Sequence, residues 1–323
     1  MSVHAFVFPG QGSQSVGMGQ KLHEAFPAAR EVFQEVDDAL GEHLSKLIFS
    51  GEPEELTRTE NAQPALMAVS LATVRALESE GRFRLCDKAC VVAGHSLGEY
   101  SALAAAGALG IAQTARLLRL RGRAMQEAVP AGEGGMAALL GVEEAQAREI
   151  CDEAARVSVE GEPVRIETLE LANDNGGGQI VISGALSAVE RAIALAREKG
   201  IRRAVLLPVS APFHCSLMAP AAARMAEALA GETIGTPQMA VIANVTAAKN
   251  TDAGRIAELL VQQVTGAVRW RESVKAMAAM GATSQIELGA GKVLTGLVRR
   301  IEPEMTARNA GTPEEIEALL RSL

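Results

Sequence analysis

Gly94-His95-Ser96-Leu97-Gly98-Glu99-Tyr100-Ser101-Ala102-Leu103 is the stretch on which the chain turns. It follows a short apolar run, Ala89 to Ala93, that reads as a buried strand, and it opens a run rich in alanine and leucine that reads as a helix. A serine with glycine two positions to either side, at a strand-to-helix junction, reads as a nucleophile elbow, a turn so tight that small residues are needed at those positions. The elbow would hold the serine hydroxyl clear of the backbone, beside a helix N-terminus whose free N–H groups favour developing negative charge. Five-residue matches also arise by chance, and an ordinary tight turn is the alternative. The placement between strand and helix favours the catalytic reading.

The chain around this turn has 323 residues, enough for two domains or for one large domain carrying an insertion. Hydrophobic residues make up 48% and charged residues 22%, so a sizeable core is expected and disorder is not. A formal net charge of −8 with no dense basic run argues against a nucleic-acid binder and against anionic membranes. Cys86, Cys90, Cys151 and Cys215 form no C-x-x-C pair, and no histidine stands at ligand spacing, so reduced structural thiols and no metal are expected. Cys215, beside His214, leaves a reactive thiol open. Ser2 to Phe8 lacks the basic and apolar segments of a signal peptide, and Ala102 to Ala112 is far too short to span a membrane. A cytoplasmic protein is expected.

Strand and helix patterns alternate along the chain, which implies an α/β fold with a mostly parallel sheet, resembling the α/β-hydrolase core. Ala5 to Phe8 reads as a first strand leading into Pro9-Gly10-Gln11-Gly12-Ser13-Gln14. That loop is neither a Rossmann fingerprint, since Ser15 stands where a third small residue is wanted, nor a P-loop, since no Gly-Lys-Ser follows. Ala28 to Leu40 reads as an amphipathic helix, and the next helix as capped by Asn61, with Pro64 in its first turn and its end at Gly81. Between about 134 and 207 the pattern changes to Met136–Gly141 strand, Glu143–Arg156 helix, Val164–Ala172 strand, a turn at 173–178, Gln179–Ser183 strand, Leu186–Lys199 helix and Arg203–Leu207 strand. This β-α-β-β-α-β order is that of the ferredoxin-like, split βαβ module. The expected division is therefore a catalytic core of 1–130 and 208–323 with an inserted small domain at 131–207. Further strands are expected at Met239–Asn244 and Gln285–Leu288, and the latter runs into Gly289-Ala290-Gly291.

A serine hydroxyl is a weak nucleophile near neutral pH and needs a base within hydrogen-bond reach. Of the five histidines, His4 lies at a strand edge, His23 and His43 in polar helical surroundings, and His95 on the elbow itself, facing away from its neighbour. His214 remains, in a loop where the chain returns from the small module. No acid stands out to orient it, and a backbone carbonyl would serve, so a dyad is better supported than a triad. In the helix read over Ile111–Val129, Leu117, Leu118, Gly122 and Met125 form an apolar arc, with Arg116, Arg119, Arg123 and Glu127 opposite. Arg121 falls inside that arc. An unpaired buried guanidinium is very costly, so Arg121 either makes an internal salt bridge, snorkels, or faces a cavity as a carboxylate clamp.

Five motifs together carry a resemblance over essentially the whole chain. They are Phe8-Pro9-Gly10-Gln11-Gly12-Ser13-Gln14, the elbow through Ser101, Leu120-Arg121-Gly122, Pro212-Phe213-His214, and Gly289-Ala290-Gly291-Lys292-Val293-Leu294. In this order they resemble the malonyl-CoA:acyl-carrier-protein transacylase family of type II fatty-acid synthesis. The resemblance implies that Ser96 carries the malonyl ester, that His214 is general base and then acid, and that Arg121 pairs with the malonyl carboxylate. It implies further that Gln11 and Leu97 give backbone N–H groups to an oxyanion hole and that Gln263 orients the histidine through its main-chain carbonyl. Phe213 resembles the malonyl rather than the branched-extender pattern. No cofactor is implied, since malonyl-CoA is a substrate and the phosphopantetheine arrives on the partner, acyl carrier protein, and the family tendency is monomeric. Acyl carrier protein is acidic, so docking needs a local basic patch, for which Lys199, Arg202 and Arg203 are candidates, with a solvated charged face as the alternative. Two departures from the family lie in the small module: a longer stretch from Arg156 to Glu167 and the glycine-rich turn Gly176 to Gly178. Competing functions are a serine thioesterase or esterase, which has no need of a buried cation, a stand-alone loading acyltransferase of a polyketide synthase, and a non-catalytic scaffold, against which the intact Ser96 and His214 argue.

Overall fold

The computed structural model describes residues 3–158, 163–209 and 211–323. Its strands are β1 (His4–Phe8), β2 (Ala89–Gly94), β3 (Gly134–Leu140), β4 (Arg156–Val157), β5 (Arg165–Ile166), β6 (Leu169–Asp174), β7 (Gln179–Ala185), β8 (Arg203–Leu206), β9 (Val241–Ala243), β10 (Ala248–Asn250), β11 (Ser284–Leu288) and β12 (Thr306–Ala310). The larger sheet has the order β10-β9-β2-β1-β11-β12, and every pair in it is parallel except β9 with β10. Its central strands are apolar at nearly every position because both faces are covered. Phe6, Phe8 and Val92 pack with the long helix Thr59–Gly81 on one side. Ala5, Val7, Val91, Ala93 and Ile242 pack against Trp270, Val274 and Leu297 on the other. With the central strands aligned, the loops after β1, β2, β9 and β11 all emerge at one edge, the carboxyl edge where open α/β sheets form their sites.

The second sheet, β6-β7-β3-β8, is antiparallel throughout, with the helices Glu144–Ala154 and Leu186–Glu198 as its crossovers. It carries a core of its own, in which Leu139, Ile150, Ile182, Val189 and Ile193 meet. Strand order and connectivity are those of the split βαβ module. The sheet is hooked to the larger body through β6: Asp174 N–H donates to Val268 O at 3.0 Å, and Val268 N–H donates to Ala172 O at 2.8 Å. Arg271 adds ion pairs to Asp174 (2.6 Å) and Glu144 (3.0 Å).

Several local expectations are corrected. The strand expected over Val164–Ala172 is broken: Arg165 and Ile166 pair back on Arg156 and Val157, and β6 starts only at Leu169. It then runs through Asn173 and Asp174, which pair with Val181 and Ile180, so the turn is confined to Asn175–Gly178. The middle of the lengthened 156–167 stretch, residues 159–162, lies outside the described residues, as does Ser210 in the returning linker. Asn61 caps nothing, because the helix begins at Thr59. Pro64 therefore sits inside the helix, where its ring nitrogen leaves the Glu60 carbonyl without an intrahelical donor. Arg119 supplies the missing donor at 2.9 Å and also binds the Asn61 side chain and Glu42. This explains why Arg119, read as solvent-facing, is only 8% exposed: its helix is flanked by both Thr59–Gly81 and Pro27–Leu40, which leaves it a narrow open face. His23, read as lying in polar surroundings, packs instead on Phe33 and Phe49.

Candidate active site

The elbow at the end of β2 is tight enough to demand both of its glycines. A Cβ on Gly94 would overlap the Gly98 carbonyl, and one on Gly98 would overlap the carbonyl of Phe8 at the end of β1. Between them Ser96 has φ +53°, a left-handed conformation that costs a non-glycine residue roughly 1–3 kcal/mol unless its surroundings hold it. Two buried amides hold it. Asn244, at the end of β9, accepts from Ser96 N–H through Oδ1 (2.8 Å) and donates from Nδ2 to Gly94 O (2.7 Å). Gln263, in the helix Ala253–Thr265, donates from Nε2 to Ser96 O (3.0 Å) and to Glu99 Oε2 (2.7 Å). Glu99, which also accepts from Asn244 N–H at 3.0 Å, is 3% exposed. Burial raises its pKa to about 7, against the lowering effect of those two hydrogen bonds and of Arg121.

His214 Nε2 lies 2.8 Å from Ser96 Oγ. The other ring nitrogen, Nδ1, lies 2.9 Å from Gln263 O and 3.1 Å from Gly266 O. Carbonyls only accept, so Nδ1 carries the hydrogen and Nε2 keeps a lone pair for the serine proton. His214 also has a left-handed backbone, φ +59°, and is 4% exposed. Burial first, and then the neighbouring Arg121 charge, lower its pKa to about 3, so the ring is neutral over the physiological range. Phe213 and Val209 beside it line the same cleft.

Arg121 points into this cleft and is 1% exposed. Nη1 donates to Gln63 Oε1 (2.7 Å), and Nη2 donates to Gln263 Oε1 (2.9 Å) and to Ser96 Oγ (3.2 Å). Nε is buried without a hydrogen-bond partner, and the guanidinium stands 5.7 Å from the centre of the Tyr100 ring. The partners are amides and a hydroxyl. Among the described residues no carboxylate pairs with it, which disposes of the internal salt bridge and of snorkelling. A buried charge held by neutral dipoles beside a nucleophile is a seat for an incoming anion.

The cavity has a volume of about 330 Å³ and is lined by Ser96, His214, Arg121, Gln63, Gln11 and Leu97 among others. Met136 and Asn173, from the second sheet, form its opposite wall. Gln11 and Leu97 are among the lining residues, and no acceptor for the backbone N–H of either is found among the described residues. The structure thus gathers Ser96, His214, Arg121, Gln11, Leu97 and Gln263 at one point. Lys199, Arg202 and Arg203 are elsewhere: Lys199 pairs with Glu153 at 2.9 Å, and Arg202 and Arg203 are exposed at the start of the edge strand β8. Three strand steps separate Arg203 from the end of β8, about 10 Å of extended chain. Asn244, Glu99, Gln63 and Thr59 were missed. A buried polar side chain at the end of a parallel strand is the only local signal Asn244 offers, and the others sit in helices where sequence cannot tell a buried polar side chain from an exposed one. His95 and Asn175 were also missed as partners: their side chains meet at 2.9 Å and tie the glycine-rich turn to the elbow. No cluster of three metal-ligating side chains occurs among the described residues, nor is any helix there long and apolar enough to cross a membrane.

An elbow serine at the end of a parallel strand, with a neutral histidine against it in a cleft that Gln11 and Leu97 also line, is the arrangement that serine acyl transfer requires. The acyl transferase domain family matches residues 5–307 of the chain. Malonyl CoA-acyl carrier protein transacylase of Bacillus subtilis (strain 168) is 46% identical over 323 residues, covering 100% of this chain and 98% of that one. The solved acyl-carrier-protein-S-malonyltransferase from Bartonella henselae superposes with a TM-score of 0.93 at 55% identity, covering 99% of both chains. A malonyl-transacylase solved in complex with a type II PKS acyl-carrier protein superposes with a TM-score of 0.92 at 40% identity over the full length of both. The chain belongs to the malonyl CoA-acyl carrier protein transacylases of the acyl transferase family.

Proposed function

We propose that this enzyme moves a malonyl group from malonyl-CoA through an ester on Ser96 to the phosphopantetheine thiol of acyl carrier protein. The observation that carries the reading is the buried Arg121 guanidinium, which pairs with no carboxylate among the described residues and lies 3.2 Å from the Ser96 hydroxyl. In the first half-reaction the substrate carboxylate takes the free guanidinium donors, and the thioester carbonyl turns its oxygen to Gln11 N–H and Leu97 N–H. Ser96 Oγ attacks the carbonyl carbon as His214 Nε2 takes its proton, with Nδ1–H held on Gln263 O. The tetrahedral oxyanion collapses, the C–S bond breaks, and the imidazolium returns the proton to the departing sulfur. In the second half the carrier thiol gives its proton to Nε2, attacks the ester, and Ser96 Oγ leaves with that proton. The acyl group rests on Ser96 between the two halves, so the sequence is ping-pong, and each half is proton-neutral and calls on no cofactor.

We assign residues 1–130 and 208–323 to the catalytic core and 131–207 to an inserted module, supported by the separate hydrophobic core of the second sheet and by its contribution of Met136 and Asn173 to the cleft. The four free cysteines favour a cytoplasmic setting. Exposed Arg202 and Arg203, with Lys199, remain the proposed carrier contacts. The neighbour solved with a type II PKS carrier favours one second reading, service to a polyketide carrier. The test is intact mass spectrometry after mixing with malonyl-CoA, followed by addition of fatty-acid or polyketide carrier proteins. One malonyl adduct is expected on the wild type and none on Ser96→Ala. A wild-type enzyme that never gains the adduct refutes the mechanism.

A further inference from the structure

Three hydrogen bonds join the Arg121 clamp to the loop that carries Gln11, and all three donate in the same direction. Arg121 Nη1 donates to Gln63 Oε1 at 2.7 Å, Gln63 Nε2 donates to Thr59 Oγ1 at 3.1 Å, and the Thr59 hydroxyl donates to Gln11 Oε1 at 2.8 Å. Gln63 and Thr59 are 2% and 1% exposed, which shields the first two links from water, while the third is part-buried because Gln11 lines the cleft. A chain of donors starting on a cation is polarised by that cation, and each bond strengthens the next. Thr59 is the first residue and Gln63 the fifth of the long helix Thr59–Gly81, whose packing against the sheet fixes both side chains. The Gln11 loop needs such a fixture. Gly12 has φ +103°, and apart from the bond from Gly12 N–H to the Gln14 side chain, the hydrogen bond of the loop into the helix is the one Gln11 makes to Thr59.

We infer that the Thr59 hydroxyl sets the distance between the carboxylate clamp and the oxyanion donor, and thereby the length of acyl group the site accepts. The inference rests on the malonyl-transfer reading above. In a diacid thioester one end is anchored on the guanidinium while the carbonyl at the other must meet the Gln11 N–H. The fit between those ends is as sharp as the Gln11 loop is rigid. A diacid one methylene longer carries both groups but cannot satisfy both ends of a fixed gauge. Thr59 touches no reacting atom and is a positioning residue, acting through Gln11.

The experiment compares malonyl-CoA with succinyl-CoA, and acetyl-CoA as an acyl group with no carboxylate, on wild type, Thr59→Val and Thr59→Ser, reading acyl-enzyme formation by mass and kcat and KM separately. Thr59→Val is nearly isosteric and removes the donor. Its malonyl kcat should fall about tenfold, a fraction of the roughly 10²–10³ lost when an oxyanion donor is removed outright. Its succinyl rate should fall far less, so that the malonyl-to-succinyl ratio drops by most of that factor, and Thr59→Ser should restore the ratio. A merely structural loss would depress all three substrates alike and leave the ratio in place, and that outcome overturns the inference. Gln63→Met breaks the adjacent link and must move the ratio the same way. If Thr59→Val does not fold, an unchanged ratio in Gln63→Met is equally fatal. A wild type that forms no malonyl ester overturns the underlying reading instead, and the two failures are told apart by that first measurement.

Discussion

Replacing Arg121 by alanine should convert a diacid-selective enzyme into one indifferent to the carboxylate. The guanidinium is 1% exposed and spends three of its five donors on Gln63, Gln263 and Ser96, leaving Nε–H and one Nη1 N–H for a ligand. Removing one side of a buried, charge-assisted contact costs about 2–5 kcal/mol, or roughly 30-fold to several-thousand-fold in kcat/KM. That loss should fall on malonyl-CoA alone. For acetyl-CoA the site loses an uncompensated buried charge, and acyl transfer should hold or rise. Stability moves in two directions: the Gln63 and Gln263 oxygens lose a donor, at about 1–3 kcal/mol for each left unsatisfied, while the cost of burying the cation disappears. Thermal unfolding therefore accompanies the assay as a control for folding. The assay itself is single-turnover formation of the Ser96 ester, followed by mass with the two thioesters in parallel. Equal losses for malonyl and acetyl would refute the clamp and reassign Arg121 to holding the elbow. Arg121→Lys should not rescue, since an ammonium cannot occupy the forked geometry facing two amides.

The neutral His214 makes acylation insensitive to pH where a histidine would ordinarily titrate: with a pKa lowered to about 3, the ester-forming rate should stay level as pH falls through 6.5. A fall centred there would show that the ring is not held neutral. The same shift affects stability, because the unfolded chain takes up the proton first, so His214 contributes stability that is lost as pH drops from about 6.5 toward 3. Glu99 acts oppositely. Its pKa is raised to about 7 from the ordinary 4.5, so its contribution is complete below 4.5 and is lost as pH rises to about 7. Glu99→Gln should accordingly flatten the decline of Tm between pH 5 and 7, and a parallel pair of curves would count against a protonated Glu99. Gly98→Ala should abolish soluble, active enzyme, because its Cβ meets the backbone of β1 rather than a side chain that can move. A Gly98→Ala protein with normal acylation would contradict the elbow geometry.

Much of this enzyme was legible without coordinates. Periodicity 2 and 3.6 and the turn residues located four of the five parallel strands, the elbow and the β-α-β-β-α-β module, because those signals are local: a strand buried on both faces has to be apolar, and a helix has to begin where the turn ends. Thr306–Ala310, an edge strand with Arg308 and Asn309 in it, carries no such signal. Ser96 followed from two glycines, His214 from a count of five histidines, and Arg121 from one cation on an apolar arc. What sequence could not weigh was the partner of each polar group. Arg119 and Arg121 sit two positions apart on one helix, on opposite faces by helical phase. Only packing decides that the first is used up on Glu60, Asn61 and Glu42 while the second faces a cavity and pairs with no carboxylate among the described residues. Asn244 lies far along the chain from the elbow it holds, and Gln63 and Thr59 lie far from Arg121 and Gln11, so those hydrogen bonds exist only once the folded sheet edge brings the elements together. Local chemistry determined which residue types this protein could use. The closing of long loops around one sheet decided which of them meet, and so brought Ser96, His214 and Arg121 into one cleft.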